Sequence, residues 1–147
     1  MKDSLSLYRL AQSSGIPILS FPLPLCGSLS IQDENFACYI GIDERFFANE
    51  PDLCVHLAHE LGHCLTGSFY NRYAAQDRRG RAEHRADKWA VIHLIPRDEL
   101  EKAMQEGYTE PWTLAEHFGV TEDFMRKALC WYQNGNLSPD LYPVGPV

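Results

Sequence analysis

Residues 52–66 constrain the fold more than any other stretch of this 147-residue chain. At helical spacing, Asp52, His56, His59, Glu60 and His63 fall within roughly one 100° sector. Leu53, Cys54, Leu57, Ala58, Leu61, Cys64 and Leu65 fill the rest of the circumference. A helix that is apolar around most of its surface belongs in a core, and its one polar stripe must open onto a cleft where the charges find partners. The segment therefore predicts a core helix, begun at Asp52 after Pro51 and stopped at Gly67.

The stripe contains His59-Glu60-Leu61-Gly62-His63. Two imidazoles four residues apart leave a helix in the same direction and can grip one cation, with a carboxylate beside them. A catalytic zinc site of this kind needs a third protein ligand and keeps one position for water. Glu83-His84-Arg85-Ala86-Asp87 supplies it. On a helix predicted over residues 81–95, Glu83 and Asp87 lie one turn apart on one side, flanked by Ala86, Ala90 and Leu94. Small residues there let two helices approach closely. Glu83 is the expected third ligand of a single Zn2+, and Asp87 the acceptor that takes the outer N–H of a ligating histidine and fixes its tautomer. His84 is a rival ligand, but it projects about 100° from Glu83, toward the rim.

HELGH, a gap of about twenty residues, and E-x-x-A-D-x-x-A on a helix closed by Ile95-Pro96 resemble the ImmA/IrrE family of metallopeptidases, within the gluzincin group. The resemblance spans roughly residues 5–131, with Trp89 standing where the family often has Phe. It implies an α+β, zincin-like fold: a small N-terminal, mostly antiparallel sheet, two metal-bearing helices and a C-terminal helix-turn-helix-like cap. Residues 16–21, 29–31 and 36–42 fit the strands, being short, rich in β-branched or aromatic residues, and separated by Pro22, Pro24, Gly27 and the run from Asp33 to Asn35. Residues 36–42 are the candidate exposed edge, able to take a peptide as an added strand, the alternative being an interior strand.

Zinc chemistry assigns the remaining roles. Glu60 is the expected general base, passing a proton from water to the leaving amine. The developing oxyanion needs a donor. His56 in the stripe, and Tyr70, Tyr73 and His84 in or beside a segment from Gly67 to Gly80 able to fold over the cleft, are the candidates. The resemblance further implies a protein substrate, a helix-turn-helix transcriptional repressor of a mobile element or stress response, cut at limited positions. The alternative is a catalytically silent metal-binding regulator that captures a repressor or another partner. An iron oxygenase with two histidines and one carboxylate matches the ligand count but leaves Glu60 without a role.

Composition sets the outer bounds. The length, with 45% hydrophobic residues, predicts one domain over 1–134, its helical cap at about 97–134, and an irregular tail over 135–147. No run is apolar enough to span a bilayer, and Met1-Lys2-Asp3-Ser4 does not open a secretory leader, so no membrane contact and a cytoplasmic location are expected. Cysteines 26, 38, 54, 64 and 130 form no CxxC pair and are expected as small buried thiols. A net charge of −7 argues against direct nucleic-acid binding. Arg78, Arg79, Arg81 and Arg85 make the one basic cluster, read as a solvated loop feeding a helix. Residues 113–118 and 122–133 spell two helices around Gly119-Val120-Thr121. Arg126 and Lys127 are the second helix's only cations, so the unit reads as a packing cap or protein-docking surface rather than a DNA reader.

Overall fold

A computed structural model describes residues 2–71 and 73–139. Among them the chain forms helix α1 (Ser4–Ser13), strands β1 (Ile18–Ser20), β2 (Ser28–Gln32) and β3 (Cys38–Ile42), and helices α2 (Glu50–Thr66), α3 (Gln76–Leu94), α4 (Arg97–Gln105), α5 (Pro111–Phe118) and α6 (Glu122–Asn134). The class is α+β, as expected. The sheet has the order β1-β3-β2 and is mixed: β1 pairs parallel to β3 (Ile18 opposite Ile40), and β2 pairs antiparallel to it (Ser30 opposite Ile40).

That order corrects one expectation. Residues 38–42 form the central strand, and β1 and β2 are the two edges. The strand also starts later than predicted, because Phe36 adopts a left-handed backbone (φ 63°) in a turn tied by Asp33 Oδ1, which accepts from Asn35 and Ala37 N–H.

α2 lies at the centre of the core. Cys54, Leu57, Ala58 and Leu61 are fully buried, and full burial of each leucine stabilises the fold by about 1.5–3 kcal/mol. The helix begins two residues earlier than predicted because Asn49, not Asp52, is its cap, accepting from Asp52 N–H; Gly67 ends it in the left-handed conformation (φ 66°). α3 is also longer than predicted. The arginine run lies within its first turns rather than in a loop, with Arg81 paired to Asp77 and Arg79 over the Tyr70 ring.

Ala82, Ala86 and Ala90 form the buried face of α3, one turn apart. Against them α2 offers Gly62, where an added Cβ would stand 2.5 Å from the Ala86 carbonyl oxygen and 3.0 Å from its Cα. Backbone atoms cannot swing aside, so the two helices meet at a distance only glycine permits. Gly62→Ala is expected to cost about 1–3 kcal/mol by forcing the helices apart. Gly80→Ala on α3, where an added Cβ meets nothing within 4 Å, is expected instead to stabilise by up to about 1 kcal/mol. Denaturant unfolding of the two variants checks the contrast.

α5 and α6 close the other side, with Leu114, Phe118, Val120, Phe124 and Leu129 buried. Thr121 caps α6 by accepting from Phe124 N–H. Of the predicted tail, residues 135–139 are irregular and Leu137 packs on the core; residues 140–147 lie outside the described residues. The cysteine expectation holds for Cys54 and Cys130, which are buried thiols, but Cys26 is exposed and Cys38 and Cys64 form a disulfide. It ties the start of β3 to α2 one residue after His63. Pairing across 26 positions left no spacing signal in the sequence. No helix among the described residues is long and apolar enough to cross a membrane.

Candidate metal centre

The close approach of α2 and α3 brings three side chains to one point. His59 Nε2 and His63 Nε2 lie 3.2 Å apart. Glu83 reaches them from α3, with Oε2 2.8 Å from His59 Nε2 and Oε1 3.3 Å from His63 Nε2. The ligand atoms of His59, Glu60 and His63 all lie within 4.8 Å of one another. A third carboxylate, Asp87, stands behind the first imidazole.

The outer ring nitrogens decide what these imidazoles can do. His59 Nδ1 donates to Asp87 Oδ1 at 2.7 Å, and His63 Nδ1 donates to the Ser68 carbonyl at 2.5 Å. Both rings are thereby fixed with Nε2 facing the shared point. Ser68 is itself buried and linked through its hydroxyl to Thr66. Two Nε2 lone pairs and a carboxylate converging without protein between them suit a borderline-soft divalent cation such as zinc, with Glu60 beside the group.

Glu60 is 7% exposed, and both of its oxygens are held: Ser28 Oγ donates to Oε2 at 2.8 Å and Ser30 Oγ to Oε1 at 3.0 Å. The two serines are two residues apart on β2 and so share a face of the strand. Sequence reasoning missed them, although Ser-x-Ser in a strand ahead of the HELGH helix is a period-two signal. These residues, with Leu29, Phe69 and Tyr70, line a cavity of about 290 Å3 beside the free edge of β2.

The candidate oxyanion donors separate. Tyr70 lines the cavity, and its hydroxyl donates to Glu83 Oε1 at 2.8 Å. His56 does not line it; its Nδ1 bonds the Asp52 carbonyl, its ring packs on Phe47, and it borders a second cavity on the other side of His59. The polar stripe of α2 thus divides between two cavities because the helix is packed on both flanks. His84 is exposed and lies edge-on to Trp131, and Tyr73 is 79% exposed on the turn before α3. Neither lines the cavity.

Electrostatics follow the contacts. Burial alone would lower the His59 pKa; hydrogen bonds with Asp87 and Glu83, reinforced by the Asp87 and Glu60 charges, overcome it and raise the pKa to about 10. His63 is raised too, its burial outweighed by Glu83 and the Ser68 carbonyl. Glu83 is held well below the carboxylate range, mainly by its bonds to His59 and His63.

Without metal the centre is therefore an imidazolium–carboxylate cluster. A raised histidine stabilises fully below its unfolded value of 6.5, and that contribution is lost as pH climbs through about 10. The lowered carboxylates stabilise above their ordinary values, 4.5 for Glu83 and 3.8 for Asp87, and lose this as pH falls, with Asp87 the larger contributor because Glu83 is 41% exposed and screened. After chelation the thermal midpoint is expected to be highest between about pH 4.5 and 6.5 and to decline toward pH 10. Metal affinity is expected to rise over that same upper range, since the cation must displace protons. Thermal melts with chelator and metal titrations across pH check both slopes.

No curated protein matches the chain. A family profile does: the peptidase M78 profile, the IrrE N-terminal-like domain, matches residues 11–129. That span holds every side chain of the centre, on both facing helices and on β2, and runs into α6 as far as residue 129. A peptidase family built around metal chemistry accounts for a buried carboxylate beside two oriented imidazoles, and by this match the chain belongs to the IrrE-like peptidase M78 family.

Proposed function

We propose that this chain is a zinc-dependent endopeptidase making limited cuts in a protein substrate, a helix-turn-helix repressor, in the cytoplasm. The observation that carries the reading is Glu60: a buried carboxylate, steadied by two serines of the edge strand, beside the point where His59, His63 and Glu83 converge. A purely structural metal site needs no such carboxylate.

His59, His63 and Glu83 would hold the zinc, which when bound supplies Lewis acidity toward a peptide carbonyl and acidifies water. The residues of the chain do the rest. Glu60 accepts a proton from the attacking water and delivers it to the leaving amine; Ser28 and Ser30 keep its carboxylate from rotating away. The substrate lies as an added strand on the free edge of β2, where main-chain bonds hold it and Ser28 and Ser30 bring the edge to Glu60. Tyr70 is the donor nearest the carbonyl that develops charge, the other candidates lining no part of the cavity. In a reducing cytoplasm Cys38 and Cys64 would stand as a thiol pair, the bond between them forming only under oxidative stress.

Incubating the protein with a repressor encoded beside it, with and without a chelator, tests the proposal. Discrete fragments that appear only without chelator are expected. Intact repressor under both conditions would sink it.

A further inference from the structure

Lys127 occupies α6, a helix outside the two that carry the ligands, and its ammonium reaches 40 positions back to Asp87, donating to Oδ2 at 3.0 Å. Asp87 Oδ1 is already bonded to His59 Nδ1. We propose that Lys127 is a positioning residue of the metal centre: by fixing the Asp87 carboxylate it fixes the orientation and tautomer of His59. This rests on the reading of His59, His63 and Glu83 as metal ligands.

The terminal torsion of an aspartate is broad, so one hydrogen bond leaves the carboxylate free to rock. A second bond on the other oxygen sets its plane. The second matters here because a cavity of about 420 Å3, walled by Val55, His56 and Phe124, opens beside Asp87, whose side chain stays 22% exposed to competing water. Lys127 stays in place because α6 is anchored on both sides of it, by buried Phe124 and Met125 before and by Ala128 and Leu129 after.

Its neighbour behaves differently. Arg126 pairs with Glu122 on the outer surface of the same helix, with both side chains about half exposed, the type of contact worth little. Lys127 and Asp87 are 31% and 22% exposed. Held on both oxygens, Asp87 keeps Oδ1 on the His59 Nδ1–H, and the ring keeps Nε2 toward the shared point. The C-terminal cap is in this way part of the metal centre rather than only packing behind it.

The test is the zinc dissociation constant of the full chain, measured by competition with a chromophoric chelator, for the parent protein and a set of variants. His59→Ala should abolish tight binding, and Arg126→Met should leave it unchanged. Lys127→Met should weaken binding about tenfold, in the range set by loss of an outer-sphere partner, and Lys127→Arg should restore most of it. In an Asp87→Ala background Lys127→Met should add no further loss, because its effect passes through that carboxylate. The 15N signals of the His59 ring, in the zinc-loaded protein, should show one Nδ1–H tautomer in the parent and exchange in Lys127→Met.

Outcomes separate cleanly. A parent protein that does not bind zinc overturns the metal reading itself. Parent-like binding by Lys127→Met, with His59→Ala inactive in binding, overturns only the role of Lys127. An equal loss in the Asp87→Ala background overturns it too, showing that the lysine acts by general stability; thermal melts and the arginine variant identify a simple folding failure.

Discussion

Glu60→Gln is expected to lower kcat for repressor cleavage about 10²–10⁴-fold while the zinc content of the protein stays at the parent level. The amide has nearly the volume and shape of the carboxylate. Ser28 and Ser30 adapt to it, since a hydroxyl that donates to a carboxylate oxygen can turn and accept from an amide N–H. What the variant loses is the capacity to take a proton. KM should therefore change little, because the β2 edge and the ligands remain in place. Ser28→Ala and Ser30→Ala should each cost less than Glu60→Gln, since either serine alone still holds one oxygen. Single-turnover cleavage together with metal analysis checks all three. Should the glutamine variant relieve its repressor as well as the parent does, the chain acts by capture and not by hydrolysis.

The parts of this site legible in the sequence are those encoded within one element. His59, Glu60 and His63 share a face because the helical period puts them there, and Glu83 and Asp87 share theirs for the same reason. Even the close approach of the helices was written in Ala86 and Ala90, though the decisive residue, Gly62, shows its role only when Ala86 is placed against it. What escaped reading joins distant positions. Ser28 and Ser30 find Glu60 about thirty residues away, and Lys127 finds Asp87 forty away. Ser68 serves through its carbonyl, which any residue would supply. The edge was misplaced for a related reason: alternation in residues 36–42 shows two different faces, whereas edge or centre depends on which strands flank it. Helix starts shifted because caps compete locally, Asn49 outbidding Asp52 and α3 starting after Ala75 with no side-chain cap at all.

Glu83→Ala is expected to weaken zinc binding by more than about a hundredfold, beyond the loss that removal of an outer partner such as Lys127 brings. Among the described residues Glu83 is the one group that bridges α3 to both Nε2 atoms, so its removal leaves two ligands on one helix and no α3 carboxylate facing their Nε2 atoms. Its surroundings predict that the fold survives. The Glu83 side chain is 41% exposed, so its ion pairs with the histidines are screened and their loss should cost little stability. Glu83→Asp, a methylene shorter, should recover part of the affinity, because the charge remains while the reach does not. A second signal needs no metal. Tyr70 is held above its ordinary value mainly by its hydrogen bond to Glu83, and its titration should move back toward 10 in Glu83→Ala. Unchanged zinc affinity in a variant whose Tyr70 titration has shifted would show that the carboxylate occupies the position described and is not a ligand, and the third ligand would then have to be sought at Glu60, inside the same cluster.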